Sequence, residues 1–191
     1  MTHRRIGPLP STERRRELVE SKRRLEGELD RPVFGVRAPF FARSAGWLEE
    51  VERAGYRYDA SDGRVVPSPG NLPYRARRPV QGGTAVPSIP VSTLKDGVSP
   101  CCLTWLRLFA PFGIHLLRPN PRMFYLHLHE FLPPDTARRL APLLRPVLTR
   151  HCGERAFGIL DEALARIPGE RVTCSEWLFR RGLLARNREL G

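Results

Sequence analysis

The sequence predicts an α/β protein built on a mainly parallel sheet. Two observations carry that expectation: helical and strand patterns alternate with short connections over residues 10–59, and the apolar runs at 33–36 and 123–128 read as buried strands. Both runs also end in chemistry-bearing side chains, Arg37 after the first and His127, His129 and Glu130 at the end of the second. In barrels and open sheets of parallel strands, chemistry gathers beyond the carboxyl ends of the strands, so these two ends suggest one site.

Residues 10–30 read as an amphipathic helix, with Ser11 or Thr12 as its cap and Leu18, Lys22, Leu25 and Leu29 on one face. The Lys22 stem can lie along that face with its ammonium in water. Residues 33–36 form a short buried strand that leads to Arg37. A second helix at 45–54 turns Leu48, Val51 and Ala54 inward and stops at Gly55, a common residue just past a helix C-terminus. The next strand is at 56–59. From 67 to 100 the chain is rich in Pro and Gly and reads as a long excursion with one strand at 85–91. Residues 103–109 suit a short helix or a strand. After the run at 123–128, residues 134–148 are expected to be helical with an interruption at Pro142 and Pro146. A clearer helix spans 154–167, its apolar face being Phe157, Leu160, Leu164 and Ile167. A last brief strand at 171–173 leads into a terminal helix opened by a Thr173 and Glu176 capping box.

With 191 residues, of which 41% are hydrophobic, the chain can bury a substantial core as a single domain. No apolar run approaches the roughly 20 residues of a membrane span, and the N-terminus lacks a signal peptide's apolar core, so a cytoplasmic protein is expected. Cys101, Cys102, Cys152 and Cys174 show no C-x-x-C spacing, which excludes a zinc ribbon and favours reduced, partly buried thiols. The net charge of +12 raises nucleic acid as a partner. All basic residues except Lys22 and Lys95 are arginine, scattered along the chain, so a compositional bias explains the charge as well as a binding surface does.

Taken in order, Glu20 to Lys22 and Leu25-Glu26 on a helix, the VRAP run at 36–39, Trp47, the GYRYD run at 55–59 and the FYLH run at 124–127 resemble the polysaccharide deacetylase family. Leu160-Asp161, Val172-Thr173 and Glu176 are similar to the closing segment of those domains. The resemblance covers about residues 3–180. It implies a distorted, incomplete (β/α) barrel that removes acetyl groups from an acetylated amino-sugar polysaccharide. Its cofactor would be a divalent metal, commonly zinc, held by one aspartate and two histidines. In that chemistry the metal acidifies a bound water and polarises the acetyl carbonyl, a carboxylate takes the water's proton, and an imidazolium protonates the departing amine.

Carried over residue by residue, the resemblance implies that His127 is the general acid and that Arg37 orients the catalytic carboxylate. Asp59 matches an aspartate that pairs with such an arginine, and His3 matches the second histidine of the metal motif. The family's paired aspartates and first metal histidine find no counterpart and would precede residue 1. The expectation is therefore a chain lacking its first strand or strands, with little or no hydrolysis of its own and an unpaired strand edge open to self-association. Read from the residues alone, His127 could be a buried histidine satisfied by a carbonyl, or a two-ligand metal site with His129. Glu130 could cap or salt-bridge, and Asp59 could cap the turn at 60–63. Arg37 could be an ordinary solvated arginine, and His115 and His151 read as surface residues. Two alternative functions accompany the leading one: a non-catalytic glycan-binding remnant using Trp47, Tyr74 and Trp105, and a basic nucleic-acid-binding protein.

Overall fold

The computed structural model describes residues 6–62, 86–118, 123–133, 135–136 and 145–184. It is a mixed α/β structure with a small three-stranded parallel sheet, and its contacts divide it into two compact units. Among the described residues, the first unit comprises 6–62, 86–90 and 171–184, and the second 91–118, 123–133, 135–136 and 145–170.

The first unit opens with α1 (Ser11–Leu29), followed by β1 (Gly35–Val36), α2 (Trp47–Arg53), β2 (Tyr58–Asp62) and β3 (Ser88–Pro90). Its last element is α6 (Cys174–Arg180). The strands lie in the order β1, β2, β3, all parallel, as the alternation of helix and strand predicts. Between β2 and β3 the register shifts: Asp59 pairs with Ser88 and Asp62 with Pro90, so β2 carries an extra residue and bulges. The core gathers Leu18 of α1, Trp47 and Val51 of α2, and Ala38, Tyr56 and Val86. Burying each large side chain here contributes about 1.5–3 kcal/mol.

α1 departs from its expected capping and face. Pro10 is its N-cap and no side chain caps it, while Leu25 and Leu29 are exposed and only Leu18 is buried. Specific polar ties hold the helix instead. The Arg14 guanidinium grips both carboxylate oxygens of Glu50 on α2, at 2.7 and 2.6 Å, and the Tyr56 hydroxyl donates to the Leu18 carbonyl at 3.2 Å. Lys22 pairs with Glu26 one turn on, and its ammonium lies 5.9 Å from the Tyr56 ring centre. α2 ends as expected, with Gly55 at φ +80°. Residues 171–173 form no strand; Thr173 is the N-cap of α6, its hydroxyl accepting from the Glu176 N–H at 3.2 Å.

The second unit contains α3 (Leu103–Leu108), α4 (Arg145–Thr149) and α5 (Glu154–Arg166), with 3₁₀ turns at Phe112–Leu116 and Leu128–Phe131. Residues 103–109 thus resolve in favour of a helix, burying Leu103, Leu106 and Arg107 at helical spacing. On α5 the fully buried residues are Ala156 and Ala163, two turns apart, whereas Phe157 is exposed and sets its ring 4.4 Å from that of Phe131. α5 packs against α3, and small residues on its inner face let the helices approach. Leu94, Cys101, Leu106, Ile114, Leu117 and Ala163 form this core. Of the helix expected at 134–148, α4 covers the end, and most of the remainder lies outside the described residues, as does the part of the Pro/Gly-rich excursion before Val86. No described helix is long and apolar enough to cross a membrane.

Two predictions follow from this packing. A Cβ on Gly113 would stand 2.3 Å from the Leu106 carbonyl oxygen, so Gly113→Ala is expected to cost about 1–3 kcal/mol in urea unfolding. The second concerns pH. Burial pushes the Cys101 thiol up from 9.0 to about 12 and also raises Cys102, Tyr56 and Tyr58. Above pH 9 the unfolded chain loses protons that the folded chain keeps, so stability is full below that pH and falls as pH rises towards 12. A urea midpoint that stays constant or rises over that interval would contradict the assignment.

Candidate functional site

The run at 123–128 was expected to be a buried strand, and it is not one. Among the described residues, its one ladder contact is at Tyr125, which bridges Cys102 in parallel: the Leu103 N–H donates to the Tyr125 carbonyl at 3.0 Å and the Tyr125 N–H to the Cys101 carbonyl at 3.3 Å. Met123 is buried, but Leu126 is exposed and Leu128 is 83% exposed. The reason is local. Glu130 lies three residues after His127, and its Oε2 accepts the His127 N–H at 2.7 Å, which makes His127 the N-cap of the turn Leu128–Phe131. That capping removes from any ladder the donor a continuing strand would use.

Glu130 is fully buried, and α3 supplies its partners. The Thr104 hydroxyl donates to Oε1 at 2.7 Å, and Nε of the equally buried Arg107 donates to the same oxygen at 3.2 Å. Glu130 therefore both caps and salt-bridges, as its position in the sequence allowed. Thr104 and Arg107 had no signal beyond a short apolar segment; their helical spacing would have placed them one turn apart only if 103–109 were already known to be a helix. Arg107 is held further by Nη1 contacts to the Arg150 carbonyl and to Cys152 Sγ, while among the described residues its Nη2 has no hydrogen-bond partner. Nδ1 of His151 lies 2.8 Å from the Arg107 carbonyl, so His151 buttresses α3 and is no mere surface residue; His115 is exposed as expected.

The His127 side chain is 43% exposed, and its Nδ1 faces Thr104 Oγ1 at 3.3 Å and Glu130 Oε2 at 3.8 Å. The imidazole is packed against Tyr125 edge-on, with ring centres 5.5 Å apart, and lies beside His129 at 5.1 Å. A half-exposed imidazole backed by an anchored carboxylate is suited to proton transfer. Thiol chemistry is disfavoured. Burial raises Cys101, Cys102, Cys152 and Cys174 alike, whereas a cysteine nucleophile needs a lowered pKa. At Cys152 the neighbouring Arg107 charge opposes that rise without reversing it.

Arg37 and Asp59 belong to the first unit. Asp59 is fully buried within β2, not in a turn. Its Oδ1 accepts from the Trp47 indole N–H at 3.0 Å and from the Ser61 N–H and hydroxyl at 3.1 and 2.5 Å, and its Oδ2 accepts from the Ser88 hydroxyl at 3.0 Å. Among the described residues, Arg43 forms an ion pair with Asp59 at 3.6 Å. Arg37 directs Nε to the Ala60 carbonyl at 3.0 Å and lies 5.7 Å from the Phe41 ring centre. Trp47, offered as a glycan platform, is 3% exposed and belongs to the core; Trp105 is partly buried and stacks on Phe109. His3 and Tyr74 lie outside the described residues.

Among the described residues, no group of three or more His, Cys, Asp or Glu side chains could hold a metal ion. The oxygens of Asp59 and Glu130 are occupied by protein donors, and His3, the metal ligand that the resemblance implies, lies outside the described residues. Comparison with family models, with curated proteins and with solved structures finds no match.

Removing Glu130 strands a buried guanidinium. Glu130→Ala is expected to cost about 3–5 kcal/mol in urea unfolding, and the joint replacement Arg107→Met with Glu130→Leu to cost less than the sum of the two single changes. Additive losses would mean that the two groups do not depend on each other.

Proposed function

We propose that the chain is a polysaccharide deacetylase-type hydrolase, acting on an acetylated amino-sugar polymer, in which His127 is the proton donor to the departing amine. One observation carries this reading: a half-exposed imidazole stands 3.8 Å from a fully buried carboxylate that Arg107 and Thr104 hold in place. An amine leaves an acetyl carbon only if a proton reaches its nitrogen, and an imidazole with an exposed face can deliver it. The order of the sequence motifs supplies the substrate class. An incomplete (β/α) barrel and a single domain belong to the same proposal, as do the roles of Arg37 and Asp59, which rest on the resemblance alone.

The divalent metal used by this chemistry, commonly zinc, would need ligands from outside the described residues, His3 being one that the resemblance implies. The test is acetate release from acetylated chitooligosaccharide with added zinc or cobalt. Release that falls about 10²–10⁴-fold in His127→Asn is the expected result. Absence of release would overturn the hydrolase reading, and glycan binding without release would favour a binding protein.

A further inference from the structure

We infer that the outward face of α3 and the turn after it, carrying Trp105, Phe109 and Phe112, form a binding surface for an uncharged sugar chain, the apolar face of a pyranose ring lying on the aromatic rings. The placement follows from helical spacing. Leu103, Leu106 and Arg107 turn into the core, so Trp105 and Phe109, four residues apart, lie together on the opposite side. Their rings stack with centres 5.8 Å apart and planes 12° from parallel, and the half-buried Trp105 packs against the core of the second unit. Phe109 is 47% and Phe112 75% exposed, and the Gly113 N–H, donating to the Phe109 carbonyl at 2.8 Å, keeps Phe112 at the same end of α3. A ring held by the core thus supports a more exposed one, which orders part of the surface before any ligand arrives.

The charge of the segment selects the occupant. In a chain of which 27% is charged, residues 97–117 contain a single Lys, Arg, Asp or Glu, and that one, Arg107, is fully buried against Glu130. Arg118, just beyond, is tied to the Leu94 carbonyl at 2.9 Å and faces the Asp96 charge. Nucleic acid also stacks on aromatic rings, but it binds through cations that neutralise its phosphates, and this segment presents none. A stable protein partner needs about 800 Å² from each side, more than the exposed parts of two phenyl rings of about 150–250 Å² each. A pyranose ring needs no more than this: its C–H groups meet the negative face of an aromatic ring while its hydroxyls stay in water. α3 also carries Thr104, whose hydroxyl oxygen lies 3.3 Å from His127 Nδ1, so the aromatic surface and the candidate proton donor share one helix. The inference rests on the proposed action on an amino-sugar polymer, and adds where units of that polymer beyond the reacting one are held.

The test follows the tryptophan indole N–H signals of the full ¹⁵N-labelled chain during titration with acetylated chitooligosaccharide, the Trp105 signal being assigned by its loss in Trp105→Phe. The expected result is a saturable shift of Trp105 with none at the core residue Trp47, and binding about tenfold weaker in both Phe109→Ala and Phe112→Ala. Phe157→Ala, which removes a comparably exposed ring on α5, is expected to bind as wild type does. Absence of a saturable Trp105 shift, wild-type binding by Phe112→Ala, an equal loss in Phe157→Ala, or an equal shift with single-stranded oligothymidylate would overturn the inference. If Phe109→Ala does not fold, Phe112→Ala decides, its ring being largely in solvent. The expected binding pattern without acetate release would sink the hydrolase reading and leave the sugar surface standing. Acetate release with wild-type binding by Phe112→Ala would do the reverse.

Discussion

A carboxylate removed from water must be surrounded by donors, and each compact unit is organised around one such group. In the first unit Asp59 draws the Trp47 indole, the Ser61 N–H and hydroxyl and the Ser88 hydroxyl onto its two oxygens, with Arg43 beside them. Those contacts tie α2 to β2 and β2 to β3, so the acid holds the sheet in register across its bulge. In the second unit Glu130 does the equivalent work for α3 and the turn that follows His127. Each donor left without its acceptor in these surroundings would cost about 1–3 kcal/mol, which makes both clusters cooperative.

The two clusters differ in what they expose. Asp59 is fully buried, with Trp47, Ser61 and Ser88 as core donors and Arg43 partly exposed beside it. Glu130 is equally buried, but the group it supports is not: His127 remains half-exposed at the end of a chain running from Arg107 through the carboxylate to the Thr104 hydroxyl and the imidazole. A buried ion pair thus lies beneath a partly exposed imidazole.

Much of the first unit was legible in the sequence because its signals are local and agree with one another. The helix at 10–30, the stop at Gly55 and the parallel order of the first strands all follow from periodicity and turn chemistry. The run at 123–128 was misread because apolarity was taken for burial. Leu126 and Leu128 point to solvent, and the three-residue spacing of His127 and Glu130 makes a cap where the apolar pattern alone implied a strand. The cap was written in the sequence too, but it competed with a stronger-looking pattern.

The sequence by itself determined the mixed α/β character and the helix at 154–167, since each depends on residues within a few positions of one another. It also marked His127 as a chemistry-bearing residue and Asp59 as a polar one. Only the tertiary structure decided that Asp59 is a buried keystone paired with Arg43, and that Arg107 and Thr104, 23 residues or more before the groups they hold, converge on Glu130 and His127. The physical reason is that a buried charge accepts partners by geometry and not by proximity in the chain. Which cation and which hydroxyl reach a given carboxylate is settled only when the elements that carry them pack.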